Sequence, residues 1–128
     1  MKLLLDTCTF LWASSEPERL SERARRLFAD PGNELFLSVV SAWEVAVKHS
    51  LGRLPLPEPP MTFIASRRKA YSVQSLPLEE EAALNVARLP KLHTDPFDRL
   101  LVSQAVVHGL AILTPDEQIA QYAVRILW

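Results

Sequence analysis

The sequence predicts an α/β fold in which helices cover both faces of a central, mainly parallel sheet of five strands. Three observations support this prediction. Short, largely apolar segments alternate with longer helical segments along the chain. The apolar segments lack the polar alternation of half-exposed strands, as is typical of sheets buried on both faces. The chain has 128 residues, 48% hydrophobic and 23% charged, which predicts one globular domain over residues 1–128.

The first elements follow from apolar runs and helix boundaries. Leu3–Leu5 is an apolar run that predicts the first buried strand, and Thr7–Ala13 predicts one or two helical turns after it. Leu20–Ala29 has apolar residues at helical spacing, and a Pro-Gly-Asn sequence follows its end. Leu35–Leu37 predicts the second strand. Ser41–Leu51 predicts a helix that the next glycine ends.

The middle of the chain begins with a proline-rich segment, Leu54–Pro60, which favours an extended connection because proline cannot continue a helix. Met61–Ala70 predicts the next helix. Tyr71–Leu76 is the candidate for the third strand. Leu78–Leu89 predicts a helix that ends before the following proline.

The last elements include the most apolar helix of the chain. Pro96–His108 predicts that helix, and Gly109 provides its C-terminal stop. Ala111–Leu113 predicts the fourth strand. Asp116–Tyr122 predicts a short helix, and Val124–Leu127 predicts the fifth strand.

Composition excludes several classes of function. With 14 basic and 15 acidic residues, the net charge of −1 excludes a histone-like electrostatic binder. The three glycines are isolated, so no glycine-rich phosphate loop can form. The single cysteine, Cys8, permits no intrachain disulfide and favours a reducing compartment. We find no signal peptide or membrane-spanning segment in the sequence and therefore expect a cytoplasmic protein.

Four acidic residues lie near the predicted carboxyl ends of strands. Asp6 directly follows the first strand, Glu44 lies in the helix after the second, Asp98 in the first turn of the apolar helix, and Asp116 shortly after the fourth strand. Ligands of parallel sheets bind beyond these strand ends. Clustered carboxylates repel one another unless cations neutralise them, and Mg²⁺ or Mn²⁺ prefers oxygen ligands. The set therefore predicts a divalent-metal site.

The first two acids also have purely structural interpretations. Asp6 can cap the helix that begins at Thr7, although a charge next to three leucines is costly unless it is paired. Glu44 can close a capping box with Ser41 or form an ion pair with Lys48 one turn later. The functional interpretation therefore depends on the set and not on any one member.

The later acids fit helix starts in the same way. Asp95 is a good N-cap for the apolar helix, and we assign it to capping, while Asp98 suits the positive end of the helix dipole. Thr114 can cap the short helix that contains Asp116, with Glu117 closing a capping box.

Four motifs follow one another along the chain: Leu4-Leu5-Asp6-Thr7, Ser41-Ala42-Trp43-Glu44, His93-Thr94-Asp95-Pro96-Phe97-Asp98-Arg99-Leu100-Leu101 and Leu113-Thr114-Pro115-Asp116. In this order they resemble the motifs of PIN-domain ribonucleases, and more narrowly those of the VapC-type toxins of bacterial toxin–antitoxin pairs. The Asp-Pro-Phe-Asp-Arg segment is the most distinctive. The resemblance extends from residue 2 to the C-terminus.

The resemblance implies a PIN-like three-layer α/β/α fold and metal-dependent hydrolysis of RNA phosphodiester bonds. It implies that Asp6, Glu44 and Asp98 are the core acidic residues and that Asp116 is the fourth, together binding Mg²⁺ or Mn²⁺. Thr114 matches the hydroxyl residue that helps orient the attacking water. The implied partners are an RNA substrate, a cognate antitoxin protein and a second copy of the chain in a homodimer.

Positive side chains must bind the substrate phosphates. The candidates are Arg99, Lys48, Arg67 and Arg68. We assign His93 to a loop or capping role. Three tryptophans are interpreted as packing residues: Trp12, Trp43 and Trp128.

Two other functions are considered. The first is a noncatalytic PIN-like protein that only binds a partner. The second is a receiver-type phosphoacceptor module, which needs an acidic pair after the first strand, where Asp6 is followed by Thr7. It also needs an acceptor aspartate after the third strand, where the sequence has none.

Overall fold

A computed structural model of the chain describes every residue from Met1 to Trp128. It contains one five-stranded sheet in which all strand pairs are parallel. The strands are β1 (Lys2–Leu5), β2 (Glu34–Ser38), β3 (Val73–Leu76), β4 (Ala111–Leu113) and β5 (Ile126–Leu127). Their order across the sheet is β3-β2-β1-β4-β5. The predicted α/β fold with a parallel sheet is confirmed.

Helices connect successive strands, as right-handed crossovers between parallel strands require. They are α1 (Thr7–Ser15), α2 (Glu22–Ala29), α3 (Val39–Ser50), α4 (Pro60–Tyr71), α5 (Glu80–Asn85), α6 (Pro96–His108) and α7 (Glu117–Ala120). Two short 3₁₀ turns complete the set, Pro17–Arg19 and Val86–Arg88. None of the helices has the length and apolar character needed to cross a membrane.

The three consecutive leucines of β1 explain why this strand is central. Leu3 and Leu5 belong to one hydrophobic cluster, and Leu4 belongs to a second cluster on the opposite face of the sheet. Successive strand residues point to opposite faces, so both faces must be covered to bury all three. All three leucines have 0% exposure. Hydrophobic burial on both faces therefore fixes where β1 ends, and with it the position of Asp6 directly after the strand.

The predicted element boundaries are wrong at several places. The third strand begins at Val73 and not at Tyr71, because α4 continues to Tyr71 and Ser72 closes it in the left-handed conformation at φ 56°. Only Glu80–Asn85 of the predicted Leu78–Leu89 helix is α-helical. A 3₁₀ turn replaces its last turn, as expected where the backbone must leave the helix before a proline.

The helix starts differ because polar side chains cap them earlier or later than predicted. Ser38 caps α3, so this helix begins at Val39 and not at Ser41. Ser21 caps α2, which begins after the predicted Leu20. At the end of the chain, the predicted helix Asp116–Tyr122 is reduced to α7. The predicted strand Val124–Leu127 is reduced to the two residues of β5, which pair with Ile112 and Leu113.

Candidate active site

The four predicted acids lie on elements that start at the carboxyl ends of the two central strands or pack beside them. Asp6 follows β1 directly, and Asp116 follows β4 and caps α7. Glu44 lies on α3, and Asp98 lies in the first turn of α6. The charges of Asp116 and Glu44 raise the pKa of Asp98, and the charges of Asp6 and Asp116 both raise the pKa of Cys8. The structure thus brings the predicted set to one edge of the sheet.

Asp6 is held by several hydrogen-bond donors. Its side chain is 4% exposed and accepts a hydrogen bond from the Thr9 backbone N–H at 2.8 Å, which caps α1. The Thr114 hydroxyl donates to its Oδ2, and the Cys8 thiol lies 3.2 Å from the same oxygen. Burial raises the pKa of Asp6, while the hydrogen bonds from Thr114, Thr9 and Cys8 oppose this rise. Asp6 therefore caps α1 and is at the same time one of the carboxylates of the predicted site.

Glu44 is also buried and has two side-chain partners. Its Oε1 lies 2.6 Å from the Thr7 hydroxyl, and its Oε2 lies 2.5 Å from the Lys48 ammonium. The predicted ion pair with Lys48 is confirmed. The predicted capping box with Ser41 is wrong, because Ser38 caps α3 and the Ser41 hydroxyl instead lies 3.0 Å from Thr7 Oγ1.

Three other carboxylates act on Asp98. Its pKa is raised to about 7, first by burial and then by the charges of Asp95, Asp116 and Glu44. Asp95 caps α6 as predicted, since its Oδ1 accepts from the Phe97 N–H at 2.9 Å and from the Asp98 N–H at 3.3 Å. This cap fixes a second carboxylate one turn away from Asp98. The arrangement favours a cation between these elements.

Thr114 and Asp116 share a local hydrogen-bond arrangement that differs from the prediction. Asp116, not Thr114, caps α7 by accepting from the Gln118 N–H at 2.8 Å. The Thr114 hydroxyl accepts from the Asp116 N–H at 3.0 Å and donates to Asp6. Glu117 closes no capping box. Thr114 is thereby freed from capping and oriented toward Asp6.

The sequence analysis did not identify the site contacts of two residues. His93 lies in the loop before α6, as predicted, but it also contacts the site: its Nε2 lies 3.2 Å from Asp98 Oδ2 and its Nδ1 lies 2.7 Å from the Tyr122 hydroxyl. Thr7 contacts Glu44 across 37 positions of sequence. Its position directly after Asp6 was the only available signal, since a contact between α1 and α3 depends on the tertiary fold.

The three arginines predicted to bind RNA make intramolecular contacts. Arg99 donates to the Tyr122 hydroxyl and to two backbone carbonyls. Arg68 donates to two backbone carbonyls, and Arg67 forms an ion pair with Glu58 at 2.8 Å. Lys48 is likewise paired with Glu44, so all four positive side chains predicted to bind RNA have partners within the protein.

The tryptophans divide into two environments. Trp12 and Trp128 contact each other with ring centroids 6.2 Å apart, which confirms their interpretation as packing residues. Trp43 differs, since 59% of it is exposed, and its ring contacts that of Phe97 with centroids 5.2 Å apart. Trp43 thus packs against one aromatic ring, while its position on α3 leaves most of the side chain exposed to solvent.

The donor set can be tested for its fit to a metal ion. The four predicted ligands are carboxylates, the type of ligand that Mg²⁺ and Mn²⁺ prefer. The repulsion that raises the pKa of Asp98 indicates negative charge that a cation would neutralise. No group of three His, Cys, Asp or Glu side chains is gathered closely enough to hold an ion together. The residues fit a hard cation in charge and chemistry, and binding would require their side chains to move closer together.

A parallel sheet with an acidic site beyond its carboxyl edge defines an α/β protein built to bind a ligand at that edge. The chain belongs to the PIN-domain family, whose model matches residues 3–125. This assignment confirms the family resemblance and excludes the receiver-type alternative.

The chain is similar to ribonuclease VapC22 of Mycobacterium tuberculosis, with 28% identity over 121 residues that cover 94% of this chain and 91% of the relative. It also matches VapC16 of the same organism, with 34% identity over 55 residues covering 43% of this chain and 39% of VapC16. A solved structure of VapBC2 from Rickettsia felis, bound to a DNA fragment from its promoter, matches with a TM-score of 0.76 and 13% identity over 99% of this chain and 98% of that chain. DNA-bound VapBC from Salmonella typhimurium matches with a TM-score of 0.69 and 17% identity over 99% and 97%. The structural matches show a shared fold.

Proposed function

We propose that the protein is an endoribonuclease that hydrolyses RNA phosphodiester bonds with Mg²⁺ or Mn²⁺ and acts as the toxin of a toxin–antitoxin pair. The convergence of Asp6, Glu44, Asp98 and Asp116 at one edge of the sheet carries the proposal, because the repulsion of Asp98 by Asp116 and Glu44 favours cation binding. Its family and its similarity to a relative named as a ribonuclease support RNA as the substrate.

The carboxylates would divide the work of holding the cation. Asp6 and Asp98 are the proposed direct ligands, while Glu44 and Asp116 act directly or through water. When bound, the cation would activate a water molecule as the nucleophile and neutralise the charge that develops on the phosphate. Thr114 already donates to Asp6, and this hydrogen bond fixes the direction of the Asp6 carboxylate.

No side chain at the site is suited to act as the nucleophile in place of water. A thiol is the most nucleophilic side-chain type beside Asp6, but burial and the adjacent Asp6 carboxylate raise the pKa of the Cys8 thiol well above the ordinary value. The thiol is therefore protonated at neutral pH and serves as a donor toward Asp6. Attack by water on the phosphate would leave a 5′ phosphate and a 3′ hydroxyl.

The proposed partners follow from the same assignment. The solved relatives are VapBC complexes, which supports an antitoxin as the partner of this chain. We propose that a segment of the antitoxin covers the acidic edge, that the protein forms a homodimer and that it acts in the cytoplasm. Roles in RNA binding for Arg99, Lys48, Arg67 and Arg68 stay predictions. For the arginines, they would require the guanidinium groups to leave their present contacts.

The decisive experiment is cleavage of a labelled RNA by purified protein in Mg²⁺, in Mn²⁺ and in a chelator. We expect cleavage only with a divalent cation, and we expect Asp6→Asn to lower the cleavage rate by about 100-fold or more. The matched control is Asp30→Asn. Asp30 is exposed and lies far from the site residues in sequence, and its side chain accepts a hydrogen bond only from the Gly32 N–H. Thermal unfolding checks that both variants fold.

Two results would contradict the proposal. Equal cleavage in chelator and in Mg²⁺ would exclude metal-dependent hydrolysis. A folded wild-type protein that cleaves no RNA in either cation would favour the noncatalytic, partner-binding alternative.

A further inference from the structure

A chain of three hydrogen bonds leads from an arginine to the site carboxylate Asp98. Arg99 Nη1 lies 2.9 Å from the Tyr122 hydroxyl, which lies 2.7 Å from His93 Nδ1. His93 Nε2 lies 3.2 Å from Asp98 Oδ2. The chain connects two neighbouring residues of α6 through the preceding loop and the segment after α7.

The direction of these hydrogen bonds follows from the chemistry of their ends. A guanidinium can only donate, so the Tyr122 oxygen accepts from Arg99. The single hydroxyl hydrogen of Tyr122 is then free to donate, and His93 Nδ1 is its other neighbour. If Nδ1 accepts, the neutral imidazole carries its hydrogen on Nε2, which donates to the Asp98 carboxylate. Only this arrangement gives every hydrogen of the chain an acceptor.

We propose that His93 is a positioning residue for Asp98 and that Tyr122 and Arg99 hold it in the Nε2–H tautomer. The inference rests on the proposed function of Asp98 in the hydrolytic site. His93 binds one oxygen of the carboxylate, Oδ2, and leaves Oδ1 free for a cation or a water. This is the same arrangement by which carboxylates and histidines around metal sites orient one another.

The surroundings keep the chain in place. Tyr122 is 4% exposed, and the His93 ring contacts its ring with centroids 5.4 Å apart. Arg99 also donates to the Pro90 carbonyl at 2.9 Å and to the Val86 carbonyl at 3.3 Å, so its guanidinium has a fixed position. These contacts give Arg99 a role within the protein, while its contact with RNA stays a prediction.

His93 also supplies a hydrogen-bond donor to Asp98, which three other carboxylates repel. Asp95, Asp116 and Glu44 all bring negative charge toward Asp98. The His93 side chain, 11% exposed, is the hydrogen-bonding side-chain donor on that carboxylate. Loss of this donor would allow Asp98 to rotate away from the other carboxylates. The expected consequence is weaker cation binding and slower hydrolysis with little change in RNA affinity.

The first test is the tautomer itself, read from the ring-nitrogen chemical shifts of ¹⁵N-histidine-labelled protein at pH 8 in chelator. We expect His93 to carry its hydrogen on Nε2, and Tyr122→Phe to give a tautomer mixture. His49 is an internal reference with the opposite expectation, because its Nδ1 lies 2.9 Å from the Leu54 carbonyl, which can only accept. A His93 hydrogen on Nδ1, or a spectrum unchanged in Tyr122→Phe, would overturn the proposal.

The second test separates positioning from folding. In His93→Leu we expect kcat to fall about 10–100-fold and the Mn²⁺ dissociation constant, measured by titration, to rise by a similar factor, with KM for RNA within about threefold. His93→Gln retains an N–H donor and should recover most of this loss, while His49→Gln is the matched control with unchanged activity. Thermal unfolding confirms that each variant folds.

The two tests keep the inference apart from the proposed function. If wild-type protein cleaves RNA but His93→Leu matches it in kcat and Mn²⁺ affinity, the positioning role is wrong and the proposed function stands. If wild-type protein cleaves no RNA, the proposed function fails, and the tautomer and the Mn²⁺ titration still decide whether His93 orients Asp98.

Discussion

The carboxylates of Asp6 and Asp98 lie at the same edge of the sheet but in different surroundings. The Asp6 half of the site comprises Asp6, Thr7, Glu44 and Thr114. The Asp98 half comprises His93, Asp95 and Asp98. Burial is the largest cause of the raised pKa in both aspartates. Hydrogen-bond donors then oppose the rise at Asp6, whereas neighbouring carboxylates add to it at Asp98, where His93 alone opposes it.

The difference indicates two separate tasks. The Asp6 half is preorganised, since its carboxylates are satisfied by hydroxyl, thiol, backbone and ammonium donors before any ligand binds. The Asp98 half stores repulsion that only a proton or a cation can relieve. A site of this kind holds its ligands in place on one side and gains its affinity for the cation on the other.

Among the changes that test this contrast between the halves, the largest expected effect comes from Thr7 in the Asp6 half. Thr7→Val removes the hydroxyl that lies 2.6 Å from Glu44 Oε1 and keeps the size of the side chain. Glu44 then retains Lys48 as its side-chain partner, and its Oε1 is no longer held. We expect RNA cleavage to fall about 10–100-fold, in line with losses at residues that orient ligands. The measurement is kcat in saturating Mg²⁺.

Thr7→Ser is the matched control, because it restores the hydroxyl and should stay within about threefold of wild type. Equal activity in Thr7→Val and Thr7→Ser would show that the preorganisation of Glu44 has no role in the reaction. The unfolding free energy should fall by about 1–3 kcal/mol in Thr7→Val, since a largely buried carboxylate oxygen loses its partner.

The next effect sharpens the contrast at Asp98. Its folded-state pKa of about 7 lies above the ordinary carboxyl value of 3.8, so the folded protein favours the protonated form. Without a cation, this group stabilises the fold at low pH, and its contribution is lost as pH rises from about 4 through 7. In chelator, Asp98→Asn should therefore raise the free energy of unfolding at pH 8 and change it little at pH 4.

We expect a gain on the order of 1–3 kcal/mol at pH 8, less than the full shift would give because water reaches part of the side chain. Urea unfolding at the two pH values measures it. Adding Mg²⁺ should stabilise wild type and not Asp98→Asn, by mass action on the folded state. A variant that is less stable than wild type at pH 8 in chelator would contradict the contrast between the halves.

The sequence predicts the fold well because its strongest signals are local. Leu3–Leu5 and Ala111–Leu113 are apolar on both faces, and this pattern has few solutions other than a buried parallel strand. The ends of elements are harder to predict. Whether α4 stops before or after Tyr71 depends on a left-handed Ser72, a residue type without glycine's preference for that conformation.

The acidic residues of the site could be predicted because their positions relative to strand ends are set by topology. Their partners could not. His93 reaches Asp98 through a loop, and Thr7 reaches Glu44 across the interface of α1 and α3, so neither contact has a periodic signal. The partners of Arg99 could not be predicted either. A positive charge beside Asp98 in sequence suggested phosphate binding, whereas in the fold Arg99 donates to the Tyr122 hydroxyl and the Val86 carbonyl.

The smallest expected effect separates charge from capping at Asp95, within the Asp98 half. Asp95→Ala removes the cap of α6 and should lower the free energy of unfolding by about 1 kcal/mol. Asp95→Asn keeps an oxygen that accepts from the Phe97 N–H and should cost only a few tenths of a kcal/mol. Both variants remove one negative charge, so both should lower the pKa of Asp98 and flatten the pH dependence of stability in chelator. If Asp95→Asn kept the wild-type pH dependence, repulsion from Asp95 would not be what distinguishes Asp98 from Asp6, and burial alone would have to account for its raised pKa.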